Sequence, residues 1–569
     1  MLAITLVYGC FALTDLGDRQ APTTAFSCSQ GQVLEFHFPE KELPPATLSY
    51  YIAPWHHRTF SLEGKRQLEE EWTDLGEITL ENVFTWQDIP LSSGVHHLRM
   101  TLQDNQASLL EFTFLDENGN ILLPVNTDVP PALLDESHLH PDRSSFRNSM
   151  YFDEIYHGRT AYEFLQGLTA YENTHPPLGK VFIAAGVALF GMNPFGWRII
   201  GTLFGIAMVP VVYLFARKLT CRTSLAALAC VLFSFDFMHF AQTRIATIDV
   251  YITFFVILMY YFLYQYSTLS FYDTSLGRTF LPLGACGVCM GLGIASKWTG
   301  VYAGAGLAVL FFSVLGRRYQ EYLYARRDLG GSTNGIPHRR IAERFLPCTR
   351  RTILFCLGFF VAIPAAIYLL SYLPFKDYTQ DGLFLRMVHN QASMFDYHSS
   401  LANTHSYSSA WYDWPIMKRP IWYYSGLPGD TLREGISSFG NPLVWWTGIP
   451  AFGYMVYLWT KKKDRRAAFL AIGYLAQYLP WIFVSRITFI YHYFPSVVFV
   501  VLMIVRSIQV FLQQKKVPRA KGLSLLALYG CMAFLLFLLF YPVLSGQPVE
   551  ASFVGKYLRW FDTWVLTAG

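Results

Sequence analysis

Residues 197–216 read WRIIGTLFGIAMVPVVYLFA, and the basic residues Arg217 and Lys218 follow at once. An apolar helix needs about 20 residues to cross the hydrocarbon core of a bilayer, and this run has that length. Basic residues that flank such runs collect on the cytoplasmic side of the membrane. The stretch therefore predicts a transmembrane helix whose C-terminal end is cytoplasmic.

The composition of the whole chain extends this prediction. Of its 569 residues, 53% are hydrophobic and 15% are charged, whereas soluble domains carry about 25% charged residues. The net charge of +4 is too small to indicate a nucleic-acid partner, and the basic residues cluster between apolar runs. We therefore expect an α-helical polytopic membrane protein that contacts membrane lipids and no nucleic acid.

Eleven apolar runs have the length or the composition that is typical of membrane spans. They lie at 1–14, 197–216, 224–240, 247–266, 281–296, 298–315, 353–373, 442–459, 467–484, 488–505 and 523–541. The first run is short and lacks a basic flank, so we interpret it as a truncated anchor in preference to a signal peptide.

Basic clusters occupy alternate gaps between these runs and so indicate the orientation of the chain. If they are cytoplasmic, the N-terminus is cytoplasmic as well, and three regions are external. The predicted organisation is a first helix at 1–14, an external β-rich domain at 20–126, an external loop at 147–196, helices two to seven at 197–373, a second external loop at 374–441, helices eight to eleven at 442–543 and an external tail at 544–569.

The β-rich domain is predicted from period-two alternation of apolar and polar residues, broken by turns. Examples are residues 32–38, 97–102 and 110–114. About a hundred residues of this kind favour a β-sandwich, and the run 109–122 resembles the closing strands of galactose-binding-like jelly rolls. Both carbohydrate binding and a structural or docking role stay open for this domain. Residues 126–147, which are rich in Pro, Asp and His, are interpreted as a linker.

Six short motifs follow the linker. They are YFDEIYH at 151–157, YENTHPPLGK at 171–180, NPFGWR at 193–198, QTRIATID at 242–249, ASKWTG at 295–300 and FIYHYFP at 489–495. In this order, from about residue 147 to the C-terminus, they resemble the protein O-mannosyltransferase family. This is a family of membrane glycosyltransferases of the GT-C class that use a polyprenyl-phosphate sugar.

The resemblance implies transfer of a sugar, mannose in the family, to a Ser or Thr hydroxyl of an exported protein. The eukaryotic members carry a large β-trefoil module between spans seven and eight, for which residues 374–441 are too few, and their common plan lacks the β-rich insertion. A bacterial member in the plasma membrane, with its active site on the external face, is therefore expected. A related GT-C enzyme that modifies a lipid or a cell-wall glycan, similar to aminoarabinose transferases, is the alternative. A lipid or sugar transporter is disfavoured because the sequence shows no internal duplication.

Sugar transfer to a hydroxyl requires removal of a proton while an anionic phosphate departs. We predict Asp153 as the general base. The adjacent Glu154 is predicted to hold the acceptor or to tune Asp153, because two close carboxylates oppose each other's ionisation. Taken without the surrounding motifs, the pair would be interpreted as exposed acids on a loop.

Cations are needed to stabilise the leaving phosphate. Arg198, Arg244 and Lys297 lie near predicted external ends of spans, against the positive-inside bias, although snorkelling toward lipid headgroups explains such positions equally simply. We therefore predict phosphate or substrate contacts for these three residues, and for His175, His492, Arg486 and Asp249. Asp249 is expected to pair with or orient Arg244.

No metal and no cofactor beyond the lipid-linked donor is expected. Asp236 and His239 have a spacing that would suit a metal ligand pair, but a packing role is favoured, as it is for Cys286 and Cys289. The aromatic residues of 403–415, at the centre of the second external loop, suit either an interfacial belt or a lid over the donor.

Overall fold

A computed structural model describes residues 1–126, 128–379, 381–401 and 404–568. The chain divides into two compact units. The N-terminal unit comprises 15–171 and 183–199, and the helical unit comprises 1–14, 172–182 and 200–569. Within the predicted segments, Thr127, Gln380, Ala402, Asn403 and Gly569 lie outside the described residues.

Two antiparallel sheets account for most of the N-terminal unit. In the first sheet the strands lie in the order Phe26–Ser29, Gln106–Leu115, Thr47–Ile52 and Gln87–Pro90, and Ile121–Leu122 also pairs with Gln106–Leu115. In the second sheet the order is Val33–His37, His97–Leu102, Arg58–Lys65 and Thr73–Leu80. The three segments with the clearest alternation in the sequence are thus strands.

The buried faces of the two sheets contact each other through aromatic rings. The ring of Phe36, in the second sheet, lies 4.8 Å from that of Phe114 in the first, and the ring of Phe38 lies 5.0 Å from it. Alternate side chains of a strand share a face, so this contact defines the inner face of each sheet. The region predicted as a linker forms the 3₁₀ turns Pro131–Leu133 and Ser137–Leu139, which pack on the strand Gln106–Leu115.

Helices account for most of the rest of the described chain. They are Glu154–Gln166, Leu178–Phe190, Pro194–Thr220, Thr223–Ser234, Phe237–Thr243, Asp249–Ser267, Leu276–Ser296, Gly300–Ala325, His338–Leu357, Ile363–Ser371, Leu383–Ser400, Pro442–Lys462, Arg465–Tyr478, Phe494–Gln514 and Arg519–Ser545, preceded near the start by Leu2–Leu13. A π-helical turn, Gly358–Ala362, joins two of these helices into one span.

Among the described residues, seven helices are long and apolar enough to cross a membrane, and there are eight if the bent pair Thr223–Ser234 and Phe237–Thr243 forms one span. The protein is therefore an integral membrane protein. Of the other predicted spans, two correspond to shorter helices, Leu2–Leu13 with 12 residues and Arg465–Tyr478 with 14, and a third corresponds to Pro442–Lys462, which has 21 residues but is not among the seven. The total of eleven stays a prediction.

The second predicted external loop contains regular structure. It holds the helix Leu383–Ser400, the 3₁₀ turn Trp411–Asp413 and a hairpin of Ile421–Gly426 with Leu432–Ser438. Val549–Glu550 from the C-terminal segment adds a third strand to this hairpin. The helix positions side chains for the site described next.

Candidate active site

Lys297 and Asp249 form an ion pair in the helical unit. The Lys297 ammonium donates to both carboxylate oxygens of Asp249, at 2.8 and 3.0 Å, and Lys297 is 7% exposed. Lys297 follows the helix Leu276–Ser296 in an extended conformation, and Asp249 is the first residue of its own helix, where the helix dipole favours a negative charge. The prediction that Asp249 pairs with Arg244 is wrong, because the carboxylate is bound to Lys297.

A second buried ion pair shapes the loop that contains His175. Lys180 pairs with Glu172 and also donates to the carbonyl oxygens of Glu172 and His175, at 2.8 and 3.0 Å. The other Glu172 oxygen lies 2.9 Å from Nδ1 of His175 and also accepts from the backbone N–H of Thr174. The loop is therefore fixed by charge-assisted hydrogen bonds, which orient the His175 ring.

The helix Leu383–Ser400 binds the other side of this loop. The amide of Asn390 donates to the Asn173 carbonyl at 2.8 Å, and Nε2 of His398 lies 2.9 Å from the Thr174 carbonyl. The rings of His398 and His175 are 5.4 Å apart. Sequence analysis missed His398, because its importance arises only from a contact with a loop more than 200 residues away.

These elements enclose a cavity of about 250 Å³. Three residues predicted for substrate binding, His175, Lys297 and Arg486, line it together although they are widely separated in the chain. Aromatic rings complete the wall, principally those of Trp298, Tyr302, Phe395 and Trp481. Cations beside aromatic faces suit a ligand that combines an anion with a sugar.

Arg486 differs from the other cations because its guanidinium has no ion pair and no hydrogen bond within the described part of the chain. It is partly exposed and also lines a larger adjoining cavity of about 540 Å³. The wall of that cavity includes Trp411, Tyr412 and Asp413 from the predicted aromatic segment. All five N–H donors of Arg486 are thus available to a ligand.

Both histidines of the cavity have lowered pKa values. Burial lowers the pKa of His175, although Glu172 acts in the opposite direction. Burial, reinforced by His175 and Arg486, lowers the pKa of His398 to about 4. Both imidazoles are therefore neutral at pH 7. When Nδ1 of His175 donates to Glu172, its Nε2 is an acceptor, which suits a sugar hydroxyl better than a phosphate oxygen.

Arg244 is not among the residues that line this cavity, and one of its nitrogens binds backbone carbonyls of the helical unit. Its guanidinium donates to the carbonyl oxygens of Phe11, Ala12 and Thr14, at 3.0, 3.3 and 2.5 Å. These are orphan carbonyls at the C-terminal end of the helix Leu2–Leu13, where a cation is favourable. Nη1 of Arg244 therefore caps a helix, and the predicted role of this residue at the phosphate stays a prediction.

His492 lies behind the cavity wall. It is 6% exposed, its ring is 4.4 Å from that of Trp481, and its Nδ1 contacts the backbone of Phe489. Of the two roles weighed for this histidine, the geometry favours the structural one.

Asp153 and Glu154 lie in the N-terminal unit. Asp153 is partly exposed and immediately precedes the helix Glu154–Gln166. Phe152 has a positive φ of 51°, a conformation that is unusual for a bulky side chain and tends to occur at functional sites. The turn therefore presents Asp153 on a strained backbone.

Glu154, in contrast, is fully buried in an ion pair with Arg198. Nε and Nη2 of Arg198 donate to the two carboxylate oxygens, each at 2.7 Å, and the indole of Trp197 donates at 3.2 Å. A two-pronged pair of this kind fixes the start of the helix that follows Asp153. Glu154 is thus a positioning residue, and the prediction that it holds the acceptor is not supported by its contacts.

The remaining donors of Arg198 are also used. Nη1 donates to the carbonyl oxygens of Leu16 and Phe146, at 2.9 and 2.6 Å, and Nη2 donates to that of Ser149 at 3.1 Å. With the two bonds to Glu154, this accounts for all five N–H groups of the guanidinium. Arg198 is 1% exposed. It has no donor left for a phosphate, so its predicted role is corrected to a structural one.

Asp236 and His239 pack as expected from the sequence. The Asp236 carboxylate accepts from the Trp445 indole at 2.9 Å and from the backbone N–H of Asn441 at 3.1 Å. Nε2 of His239 lies 3.1 Å from the Gly205 carbonyl. These contacts connect helices of the bundle.

Two family models match the chain and abut each other. Residues 143–379 match the dolichyl-phosphate-mannose-protein mannosyltransferase family, and residues 383–564 match the C-terminal four-transmembrane region of protein O-mannosyltransferase. The chain belongs to the protein O-mannosyltransferase family. The cavity draws His175 and Lys297 from the first match and His398 and Arg486 from the second.

Curated relatives agree with this membership. The chain is 27% identical over 472 residues, 73% of its length and 86% of the relative's, to a polyprenol-phosphate-mannose–protein mannosyltransferase of Mycobacterium tuberculosis. It is 24% identical over 442 residues, 68% of its length and 81% of the relative's, to the protein of the same name from Corynebacterium glutamicum. The resemblance inferred from the sequence motifs is confirmed, and this protein O-mannosyltransferase family member is a membrane glycosyltransferase.

A solved structure shows the same fold. The protein O-mannosyltransferase Pmt1–Pmt2 complex of S. cerevisiae, bound to the sugar donor, superposes with a TM-score of 0.60 at 14% identity, over 72% of this chain and 88% of the other. The fold is thus of the helical GT-C type.

Proposed function

We propose that this protein transfers mannose from a polyprenyl-phosphate donor to a Ser or Thr hydroxyl of an exported protein. The observation that carries the proposal is the cavity in which Lys297, Arg486 and His175 meet. The names of the curated relatives, which specify polyprenol-phosphate-mannose and a protein acceptor, support the choice of donor and acceptor.

The donor phosphate is proposed to bind between Arg486 and Lys297. Asp249 balances the charge of Lys297, so the remaining positive charge of the cavity comes from Arg486. This charge is complementary to that of a phosphate. Fixed cations in a site partly shielded from water stabilise developing charge more strongly than water does. Trp298 and Trp481 are proposed to contact the sugar, and His175 to accept from one of its hydroxyls.

Asp153 is proposed as the general base. It takes the proton of the acceptor hydroxyl while the hydroxyl oxygen forms a bond to C1 of the sugar, and the bond from C1 to the phosphate oxygen breaks. The phosphate leaves with the electron pair, and direct displacement inverts C1. Asp153 then releases the proton to water. The reaction needs no metal or other cofactor in this scheme, since the donor is already activated.

The cavity is proposed to open on the external face of a bacterial plasma membrane. Lys297 directly precedes the N-terminal end of the helix Gly300–Ala325, while Arg317 and Arg318 lie near its other end. The positive-inside rule places that basic end in the cytoplasm. The proposed topology has eleven spans and a cytoplasmic N-terminus. The two N-terminal sheets are proposed to form a jelly-roll sandwich, which contributes carbohydrate or acceptor docking.

A transfer assay tests the proposal. Purified protein is incubated with polyprenyl-phosphate mannose and Ser/Thr peptides, and the products are read by mass spectrometry. Asp153→Asn is expected to lower the rate by about 10² to 10⁴, the usual contribution of a general base. Asp88→Asn, the same change at an exposed residue of the same unit, is the control.

Two outcomes would contradict the proposal. Full activity of the folded Asp153→Asn protein excludes this residue as the base. Transfer to a lipid or glycan acceptor, with none to any peptide, excludes the protein acceptor.

A further inference from the structure

The outer face of the strand Gln106–Leu115 carries a buried acid. Phe112 and Phe114 contact Phe36 of the other sheet, so the alternating residues Glu111 and Thr113 face the opposite way. The turns Pro131–Leu133 and Ser137–Leu139 pack on this strand. Glu111 is 0% exposed. A carboxyl group is thus enclosed within the N-terminal unit.

Glu111 has few partners for a buried carboxyl group. Oε2 accepts one bond, from the backbone N–H of Glu136 at 3.0 Å, and Oε1 has no hydrogen-bond partner among the residues that the structure describes. No described Lys, Arg or His forms an ion pair with it. Burying a carboxylate without such compensation costs several kcal/mol.

Two further acids approach the same point. Asp135 and Glu136 each place a carboxylate oxygen so that, with one from Glu111, all three oxygens lie within 4.8 Å of one another. Three carboxylates this close repel each other unless a positive charge separates them.

Unpaired hydroxyl groups provide a second, independent observation. In the antiparallel register Tyr51 is opposite Glu111 and Ser49 is opposite Thr113, so these side chains share the outer face. The hydroxyl oxygens of Ser49, Tyr51 and Thr113 are buried and have no hydrogen-bond partner within the described ranges. Unsatisfied buried oxygens are rare in native proteins, so those of Ser49 and Thr113, on the same face as the unsatisfied Oε1 of Glu111, indicate a missing ligand.

We propose that Glu111, Asp135 and Glu136 bind a divalent cation of the Ca²⁺ type. Only oxygen ligands are offered, which disfavours zinc and copper. Ca²⁺ binds oxygens at about 2.3–2.6 Å, so ligands on opposite sides of the ion are about 5 Å apart, whereas Mg²⁺ would draw them to about 4 Å. The ion neutralises the carboxylates, and water molecules complete its coordination.

The cation would also stabilise the start of the β-rich domain. The Glu136 carboxylate accepts from the backbone N–H groups of Thr23 and Thr24, at 2.7 and 2.9 Å. Ion binding at Glu136 therefore connects the turn over the outer face to the segment that precedes the first strand. With three protein ligands, one of them the exposed Asp135, we expect the Kd typical of extracellular modules, about 10⁻⁴ to 10⁻³ M.

Terbium luminescence tests the site on the full chain in an uncharged detergent. After EDTA treatment, the protein is titrated with Tb³⁺, and bound Tb³⁺ is displaced with Ca²⁺ or Mg²⁺. We expect one site, displaced by Ca²⁺ at lower concentration than by Mg²⁺. Glu111→Gln and Asp135→Asn should each weaken binding at least tenfold. Glu77→Gln, the matched change at an exposed residue of the other sheet, should leave it unchanged.

The result does not depend on catalysis, so it stands or fails separately from the proposed function. Glu111→Gln keeps the shape of the side chain and removes its charge, and circular dichroism verifies folding. Asp135→Asn alters only an exposed group and gives a reading even if Glu111→Gln is unstable. The proposed site would be excluded if no Ca²⁺ binding is detected up to 5 mM, about five times the weakest expected Kd. It would also be excluded if Glu77→Gln weakens cation binding as much as Glu111→Gln and Asp135→Asn do.

Discussion

Arg198 in the N-terminal unit and Arg486 in the helical unit occupy similar sequence contexts, and both were predicted to contact the donor phosphate. All five N–H groups of Arg198 are taken by Glu154 and backbone carbonyls. The guanidinium of Arg486 has no partner within the described part of the chain and lines two cavities. The difference shows that a charge contributes to ligand binding only when its hydrogen-bonding capacity is free.

The lysine at the cavity is intermediate between these two arginines. An ammonium group has three donors, and Asp249 accepts two bonds from Lys297. Lys297 is therefore oriented by its acid and retains capacity for a ligand. Substitutions of Arg198, whose donors are all used within the protein, and of Arg486, whose donors are available to a ligand, should therefore differ in their effects on stability and activity.

The largest effect is expected from breaking the buried Arg198–Glu154 ion pair. Arg198→Met leaves the Glu154 carboxylate buried and unpaired, so the free energy of unfolding should fall by about 3–5 kcal/mol. Thermal unfolding and yield in detergent measure this. Arg339→Met, which breaks the exposed Arg339–Glu343 pair, should change stability by less than about 0.5 kcal/mol. The double variant Glu154→Gln/Arg198→Met should recover part of the loss, and an unimpaired Arg198→Met protein would refute the structural role.

Arg486 should behave in the opposite way. Arg486→Gln removes a cation that has no described protein partner, so stability should be unchanged while kcat/KM for the donor falls by about 10²-fold. Arg278→Gln, the same change at an exposed helix start, is the control for net charge. If Arg486→Gln unfolds the protein, or if its kcat/KM is normal, the prediction that Arg486 serves the ligand and not the fold is contradicted.

The smallest effect concerns the neutral histidines of the cavity. His398 has a folded-state pKa of about 4, below the ordinary value of about 6.5. As the pH falls from about 6.5 to 4, the unfolded chain binds a proton that the folded protein does not, so the free energy of unfolding decreases. His398→Asn should reduce this dependence, and His138→Asn, at an exposed residue, should not. Unfolding midpoints at several pH values measure both, and parallel curves for wild type and His398→Asn would contradict the assignment.

Local signals were sufficient for much of this molecule. Alternation identified three strands, and apolar length with basic flanks identified seven helices that are long enough to cross a membrane. The helix Leu383–Ser400 was missed because its polar and aromatic composition is typical of an external loop, while its role depends on hydrogen bonds to the backbone of Asn173 and Thr174.

Pairing was the principal failure of the sequence-based prediction. Asp249 is five residues from Arg244 but bonds to Lys297, 48 residues away. Glu154 is next to Asp153 but bonds to Arg198, 44 residues away. Charged groups bind the partner that the fold brings within hydrogen-bond reach, so proximity in sequence was a poor guide.

The amino-acid sequence by itself determined the membrane class, the family and the residue types that carry the chemistry, because hydropathy and motif order are properties of the chain alone. Tertiary structure decided which cations are already neutralised and which face a cavity, and it revealed the buried oxygens around Glu111. Burial, pairing and unsatisfied hydrogen bonds are relations between distant segments, and they exist only after the chain has folded.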